Sequence, residues 1–278
     1  MRPLPRAVWT NRLKSHPDET GEWLPERCPE ATPLTWMEGA WRIPPQVAPG
    51  TWPEFLMGMI HCQEEVSIWP VLLLDPRPGE HLLDICAAPG NKTVLAGMLM
   101  QDQGCCLANE INWKRFQSLR DVLNRLGLTQ VVTTQADGRH LPGRYGFDRV
   151  LADVPCSCEG TSRKHSGWIR STPFNKRIQL SKIQTQLLKR AVELTRPGGV
   201  IVYSTCTYAP EENEAVISGI DPEWAVLESL SFPPGFHYDP GLREWKGQVF
   251  RRDIGLAARF WPHHNDTGGF FVARLRRL

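Results

Sequence analysis

The sequence predicts an α/β protein built on a doubly wound, mostly parallel sheet, and three observations carry that expectation. Short apolar runs that read as buried strands alternate with helical segments from residue 55 onward. The runs end in acids or cysteines, at the sheet edge where open α/β folds bind their ligands. Small-residue turns follow them and lead into helices, as parallel crossovers require.

Taken in order, residues 1–50 are rich in Pro and Trp and lack sustained periodicity. Val8, Trp9, Leu13, Trp23, Leu24, Leu34, Trp36, Trp41 and Ile43 still predict a small ordered appendage of short strands or one helix. Residues 44–53 read as the linker, which makes 51–278 the main domain. A mixed segment over 55–68 runs into an apolar helical turn ending at Leu74, before Pro76, Pro78 and Gly79 break the chain. Residues 81–86 predict the first parallel strand, and 94–100 an apolar helix. A second strand is expected over 104–109. An amphipathic helix follows over 112–126, with Phe116, Leu119, Leu123 and Leu126 on one face and Gly127 as its cap. Strands over 130–135 and 149–152, a helix over 179–195 stopped by Pro197-Gly198-Gly199, and a strand over 200–204 complete the alternation. Residues 211–217 read as a short helix with acids in its first turn. The stretch after it has no clear pattern until a closing strand over 269–275.

Bulk properties exclude several classes. A chain of 278 residues suits one large domain with a small appendage. No apolar run is long enough to span a membrane, and the first residues lack the apolar stretch of a signal peptide. The eight cysteines lie largely in strand-like stretches, so reduced thiols in a cytoplasmic protein are expected. The net charge of +2 is unevenly spread: residues 163–196 hold nine Lys or Arg against one acid, Glu193. That excess fits a polyanion, although a solvated helix face reads the same way.

The first strand-to-helix turn is Cys86-Ala87-Ala88-Pro89-Gly90-Asn91-Lys92. Small side chains let a ligand approach the backbone, and the helix start offers amide donors. The spaced glycines of a dinucleotide fingerprint are missing. Glu110, at the end of the second strand, is placed to bind ribose hydroxyls, and Asp137, after the third, to reach an adenine edge. A nucleoside ligand without a pyrophosphate fits this set, S-adenosyl-L-methionine first among them. Cys156 and Cys206 follow two further strands, and Asp153 precedes the first of these cysteines.

Three motifs occur in order: residues 84–93, Asp153-Val154-Pro155-Cys156-Ser157, and Tyr203-Ser204-Thr205-Cys206-Thr207 with Glu211-Glu212-Asn213-Glu214. Together they resemble the RsmB/NOP (Sun-type) family of RNA cytosine-5 methyltransferases. Gln63-Glu64 with Ser67, Ala108-Asn109-Glu110, residues 269–274 and Asn11-Arg12-Leu13-Lys14 extend the likeness over nearly the whole chain. It implies a seven-stranded, Rossmann-like class I methyltransferase sheet, a truncated RNA-binding-type appendage, S-adenosyl-L-methionine as methyl donor and rRNA or tRNA as partner. Two positions depart from the pattern. Asn91 stands where the family usually has Gly, and Cys158-Glu159 stands where Gly-Asp or Gly-Glu is more usual after Pro-Cys-Ser.

Cytosine C5 becomes nucleophilic only after a thiolate adds at C6, so the reaction needs a cysteine nucleophile, a group at N3 and a base for the C5 proton. Either Cys156 or Cys206 meets the first need. The resemblance assigns attack to Cys206 and product release to Cys156. It also places Asp153 against the base edge and the cofactor, and Lys92 against the base.

Arg163, Lys164, Arg170, Lys176 and Arg177, with Trp168 and Phe174 among them, form a candidate RNA-facing strip. No metal is expected, because Cys156-Ser157-Cys158 lacks a second ligand pair and His263-His264 are distant in sequence. A monomer is expected. Competing readings are a catalytically silent RNA-binding or ribosome-assembly factor, and a DNA cytosine-5 methyltransferase attacking through Cys156.

Overall fold

The computed structural model describes residues 2–143, 146–164 and 172–278. The N-terminal part comprises β1 (Arg6–Thr10), α1 (Pro17–Arg27), β2 (Thr32–Pro33), β3 (Ala40–Ile43), α2 (Pro53–Leu56) and β4 (Ile60–Gln63). Its strands form an antiparallel sheet in the order β2-β3-β1-β4. β4, which follows the expected linker over 44–53, pairs with β1 and completes this sheet.

The main part continues with α3 (Trp69–Leu74), β5 (His81–Asp84), α4 (Asn91–Leu99), β6 (Cys105–Asn109), α5 (Trp113–Leu126), β7 (Val131–Thr134) and β8 (Phe147–Asp153). Then come α6 (Phe174–Leu194), β9 (Thr195–Thr205), α7 (Glu214–Ser218), β10 (Ala225–Leu227) and β11 (Asp239–Pro240). A small hairpin of β12 (Glu244–Trp245) and β13 (Gln248–Val249), then β14 (Ala258–Phe260), α8 (Pro262–Asn265) and β15 (Phe270–Arg277) end the chain.

The central sheet follows the order β11-β14-β15-β9-β8-β5-β6-β7, with β10 beside β15, nine strands in all. Six of them, β5 to β9 and β15, match strands read in the sequence, and β10, β11 and β14 add short strands at its antiparallel end among the described residues. The strands from β9 to β7 pair in parallel, whereas β15 runs antiparallel to β9. Strand alternation distributes the core between the two faces. Leu82, Leu151, Val200 and Val202 join one buried cluster, while Leu83, Val150, Ala152, Ile201 and Tyr203 join the other. Burial on both faces is why these strands read as continuous apolar runs.

The periodicity of α5 is realised as read. Phe116, Leu119, Leu123 and Leu126 are buried, Asn112 caps its start, and Gly127 ends it at φ 78°. Asn11 and Lys14 anchor the appendage on this helix end. The Asn11 amide donates to the Leu126 carbonyl at 2.8 Å, and the Lys14 ammonium to that of Arg125 at 2.8 Å. Both satisfy carbonyls that a helix terminus leaves without partners.

Two elements differ from expectation. The helix α6 starts at Phe174, immediately after Pro173, and β9 already begins at Thr195, so Pro197-Gly198-Gly199 lies inside the strand assignment. Residues 211–213 precede α7 instead of forming its first turn. Their side chains are committed to tertiary contacts described below.

Candidate active site

The direction of winding reverses between β5 and β8: β6 and β7 lie on one side, β9 on the other. Ligands of open α/β sheets bind outside the strand ends at such a switch point. Asp84 ends β5 there and Asp153 ends β8.

On the β5 side, residues 85–90 pass directly into α4, whose first amides face no preceding helical turn. Asn109, at the end of β6, fixes the floor. Its amide nitrogen donates to the Ile85 and Ala136 carbonyls, each at 3.0 Å, and its oxygen accepts from the Ala136 N–H. The Glu110 carboxylate is buried, accepting from the Asn112 N–H at 2.8 Å and pairing with Arg115 at 3.3 Å. Arg115 also donates to the Ala88 carbonyl, bracing the turn. Asp137 accepts a two-pronged bond from Arg139, which holds its carboxyl down at about 2. Burial pushes Asp84 up to about 7; Thr93 donates to its Oδ2 at 2.7 Å, and its Oδ1 is buried without a hydrogen-bond partner among the described residues. Burial likewise raises the Cys86 thiol. The Asn91 oxygen lies 3.1 Å from His61 Nε2, while an Arg125 nitrogen lies 2.7 Å from His61 Nδ1. Arginine can only donate, so His61 carries its proton on Nε2 and gives it to Asn91. The residue that departs from the family pattern thus ties the turn to β4.

On the β8–β9 side, Asp153 is held at both oxygens, by Lys92 at 2.7 Å and by the Ser204 hydroxyl at 2.7 Å. Lys92 is mostly buried and lies 5.6 Å from the centre of the Phe270 ring. The Cys156 and Cys206 sulfurs stand 3.4 Å apart, brought together from positions fifty residues apart in sequence.

Buried polar side chains hold each cysteine in place. Glu212 accepts from the Ser157 N–H at 3.0 Å and from the Gln184 amide at 2.9 Å, and Gln184 also donates to the Pro155 carbonyl. Asn213 accepts from the Thr205 hydroxyl at 2.6 Å and donates to the Thr207 carbonyl at 3.0 Å. Cys156 and Cys206 are therefore each flanked by anchored neighbours. Glu214 forms a fully buried ion pair with Arg259. At Gly160 the loop crosses so close to the strand ends that a Cβ would lie 2.1 Å from the Gly269 oxygen and 3.0 Å from that of Cys206.

Both thiols are held above the ordinary cysteine value. For Cys156 the neighbouring thiols Cys158 and Cys206 dominate, followed by burial. For Cys206 the bond from Cys156 favours the thiolate, but Cys158, burial and the charge of Asp153 together outweigh it. Lys164 supplies a compensating charge. Burial disfavours its ammonium, yet Glu64, at 2.6 Å, and the Cys206 and Cys158 sulfurs raise it above its usual value.

The structure divides the expected RNA strip. The Arg163 side chain is mostly buried, donating to the Arg2, Pro3 and Thr267 carbonyls and pairing with Asp266 at 2.6 Å, so its donors are engaged within the protein. Its guanidinium closes a loop junction. Lys164 pairs with Glu64 at 2.6 Å, Arg177 lies 3.9 Å from Glu211, and Lys176 is exposed. Arg170 and Trp168 lie outside the described residues. Sequence reasoning missed the β12–β13 hairpin, where Lys246 sits 5.4 Å from the Phe174 ring and 5.7 Å from that of Trp245. Two-residue strands leave no periodic signal to read. Ser204, Phe270 and Glu64 were also missed as site residues, since only spatial proximity marks them.

A mostly parallel sheet whose switch point lies beside acids and two neighbouring thiols is the architecture of a Rossmann-like α/β methyltransferase. The chain belongs to the family described as 16S rRNA methyltransferase RsmB/F, which matches residues 71–276. It is 35% identical over 281 residues to the tRNA (cytosine(49)-C(5))-methyltransferase of Pyrococcus abyssi, covering 99% of this chain and 89% of that one. It is 33% identical to the ribosomal RNA small subunit methyltransferase F of Shewanella amazonensis, covering 99% of this chain but 58% of the relative. Among solved structures, a methyltransferase homolog protein from Pyrococcus horikoshii superposes with a TM-score of 0.87 at 32% identity, covering 100% of this chain and 88% of that one.

Proposed function

We propose that the protein is an S-adenosyl-L-methionine-dependent RNA cytosine-5 methyltransferase. The 3.4 Å approach of Cys156 to Cys206, beside an Asp153 clamped by Lys92 and Ser204, carries this reading. Family membership and the names of both curated relatives, each an RNA methyltransferase, support it.

The β5 side fits the methyl donor, which is a cation with ribose hydroxyls and an amino-acid end. Asp84 offers a buried oxygen without a partner, Glu110 a carboxylate at the next strand end, and Asp137 a third at the adenine side. Main-chain groups of Cys86, Ala87, Ala88, Pro89, Gly90 and Asn91 would line the donor, and Asp153 would border it. When bound, S-adenosyl-L-methionine supplies an electrophilic methyl group.

The residues of this chain then divide the work. Cys206, as thiolate, adds to cytosine C6, and the electron pair released from C5=C6 is delocalised toward N3. Asp153 and Lys92 receive the N3/N4 edge and stabilise that charge. Once C5 is methylated, Cys156, having lost its own proton to solvent and acting as thiolate, takes the C5 proton and becomes a thiol, C5=C6 re-forms and Cys206 leaves as thiolate. The raised thiol values place proton removal from Cys206 among the costs of the reaction, and Lys164 lies where it stabilises the anion. The target cytosine must be unstacked to reach the sulfurs. Phe174, Trp245 and Lys246 with Lys176 offer an aromatic and cationic surface for flanking nucleotides.

The test compares wild type, Cys206→Ala and Cys156→Ala with methyl-labelled S-adenosyl-L-methionine and bulk RNA or DNA. Loss of labelling in Cys206→Ala and a denaturation-resistant protein–RNA adduct in Cys156→Ala are expected. Full activity of Cys206→Ala would overturn the nucleophile, and labelling of DNA with RNA left unlabelled would overturn the substrate class. Bisulfite sequencing of total RNA with and without the gene then locates the cytosine.

A further inference from the structure

The expectation of no metal rested on spacing along the chain, where Cys156 and Cys158 have no second pair. Folding supplies a third sulfur from β9. The Cys156 sulfur lies 3.4 Å from Cys206 and 3.9 Å from Cys158, and the three sulfurs all fall within 4.8 Å of one another. Zinc–thiolate bonds of about 2.3 Å place the sulfurs of a tetrahedral site roughly 3.8 Å apart. The three sulfurs thus match three corners of such a site to within about an ångström, a shift that cysteine rotamers can supply.

We propose that Cys156, Cys158 and Cys206 form a binding site for a soft, thiophilic divalent cation such as Zn2+, with a fourth, exchangeable position. Cys158 is the residue that makes the site, because it adds a sulfur to a pair that two cysteines alone cannot close into a cage. It does so at φ 59°, in the left-handed region where an L-residue is strained and glycine is at ease. Binding displaces the thiol protons to solvent, so affinity rises with pH. The site stands on sulfur geometry alone. Its consequence, reversible silencing of the enzyme when the ion occupies Cys206, rests on the function proposed above.

The experiment uses the full chain, reduced and stripped of metal, titrated with Co2+ and then with Zn2+ against a chromophoric chelator. Wild type is expected to bind one equivalent, with a thiolate-to-cobalt charge-transfer band that Zn2+ displaces. Cys158→Gly, which relieves the left-handed backbone, is expected to lose the band. Its zinc affinity should fall beyond the roughly 10–100-fold seen when a group that merely orients a ligand is removed. Methylation by this variant should persist and resist micromolar Zn2+. Absence of the band in wild type, or equal zinc affinity in Cys158→Gly, would overturn the site. Metal binding intact in a protein that methylates no RNA would overturn the functional reading and leave the site standing.

Discussion

At the carboxyl end of β5 the chain turns into α4 through small residues and shapes its pocket mainly with main-chain groups. At the ends of β8 and β9, Glu212, Asn213, Gln184, Thr205 and Thr207 form a buried polar lattice around two cysteines. The difference follows from what each side must hold. A nucleoside presents edges and hydroxyls that amides and one or two acids can meet. Two thiols kept a few ångströms apart on separate strands need side chains that fix the backbone on either side of each. Substitutions should therefore cost fold and activity together on the β8–β9 side, and separate them on the β5 side.

The largest effect is expected at the buried Glu214–Arg259 pair, whose side chains are 0% and 3% exposed. Glu214 also accepts the Leu242 N–H, and Arg259 donates to the Tyr208 carbonyl, so the pair braces the loop after Cys206. Arg259→Ala leaves a buried carboxylate uncompensated and should cost about 3–5 kcal/mol, read as a lower denaturant midpoint. A loss under about 1 kcal/mol would show that the lattice is not needed to hold this side.

Next is Asp84, on the β5 side. Its carboxyl titrates near 7 when folded, against an ordinary value of 3.8, and burial is the main cause. The folded state therefore binds the extra proton between these values, and stability falls as pH rises from about 4 to 7, then levels off. Asp84→Asn removes that slope and should stabilise the ligand-free protein above pH 7, on the order of a few kcal/mol. The same change should weaken S-adenosyl-L-methionine binding, because a charge opposite the cationic donor is lost. A variant that is less stable at pH 8 would erase the contrast between the two sides.

Glu212→Ala sharpens the contrast from the other direction. It strips partners from the Ser157 N–H and the Gln184 amide, and should cost roughly 1–3 kcal/mol. Methyl transfer should fall further than stability predicts, since Ser157 positions Cys156. Unchanged turnover in a destabilised variant would separate the lattice from the chemistry.

These contrasts also explain what was legible in the sequence. The parallel strands were readable because burial on both faces makes them continuous apolar runs, as Val150-Leu151-Ala152 and Val200-Ile201-Val202 show. Glu110, Asp153 and the two cysteines could be singled out as candidates because they stand at or just after strand ends, and Lys92 because it opens the helix that follows β5. Residues 211–213 were misread as helical, because acids at an N-terminus and acids buried as struts look alike until partners are known; Glu214 does open α7. At Arg163 the charge was visible in the sequence, but the carbonyls that engage it were not. The approach of Cys158 to Cys206 arises from the crossing of two loops at Gly160, which leaves no periodic trace.

The smallest effect is expected where the appendage meets the β5 turn. His61 is buried, stacks near Phe55 and donates to Asn91, and burial holds it down at about 4. The unfolded chain takes up the proton first, so this group removes stability as pH falls from 6.5 toward 4, opposite in sign to Asp84 over the overlapping range. Asn91→Ala leaves the His61 Nε2–H without its acceptor and should cost about 1 kcal/mol at pH 7. Donor binding should stay near wild type, because the turn contributes main-chain groups rather than this side chain. Calorimetry with S-adenosyl-L-methionine reads both quantities from one preparation. If affinity fell much further than stability, the Asn91 side chain itself would be shaping the pocket, and the β5 side would share the building principle of the cysteine side.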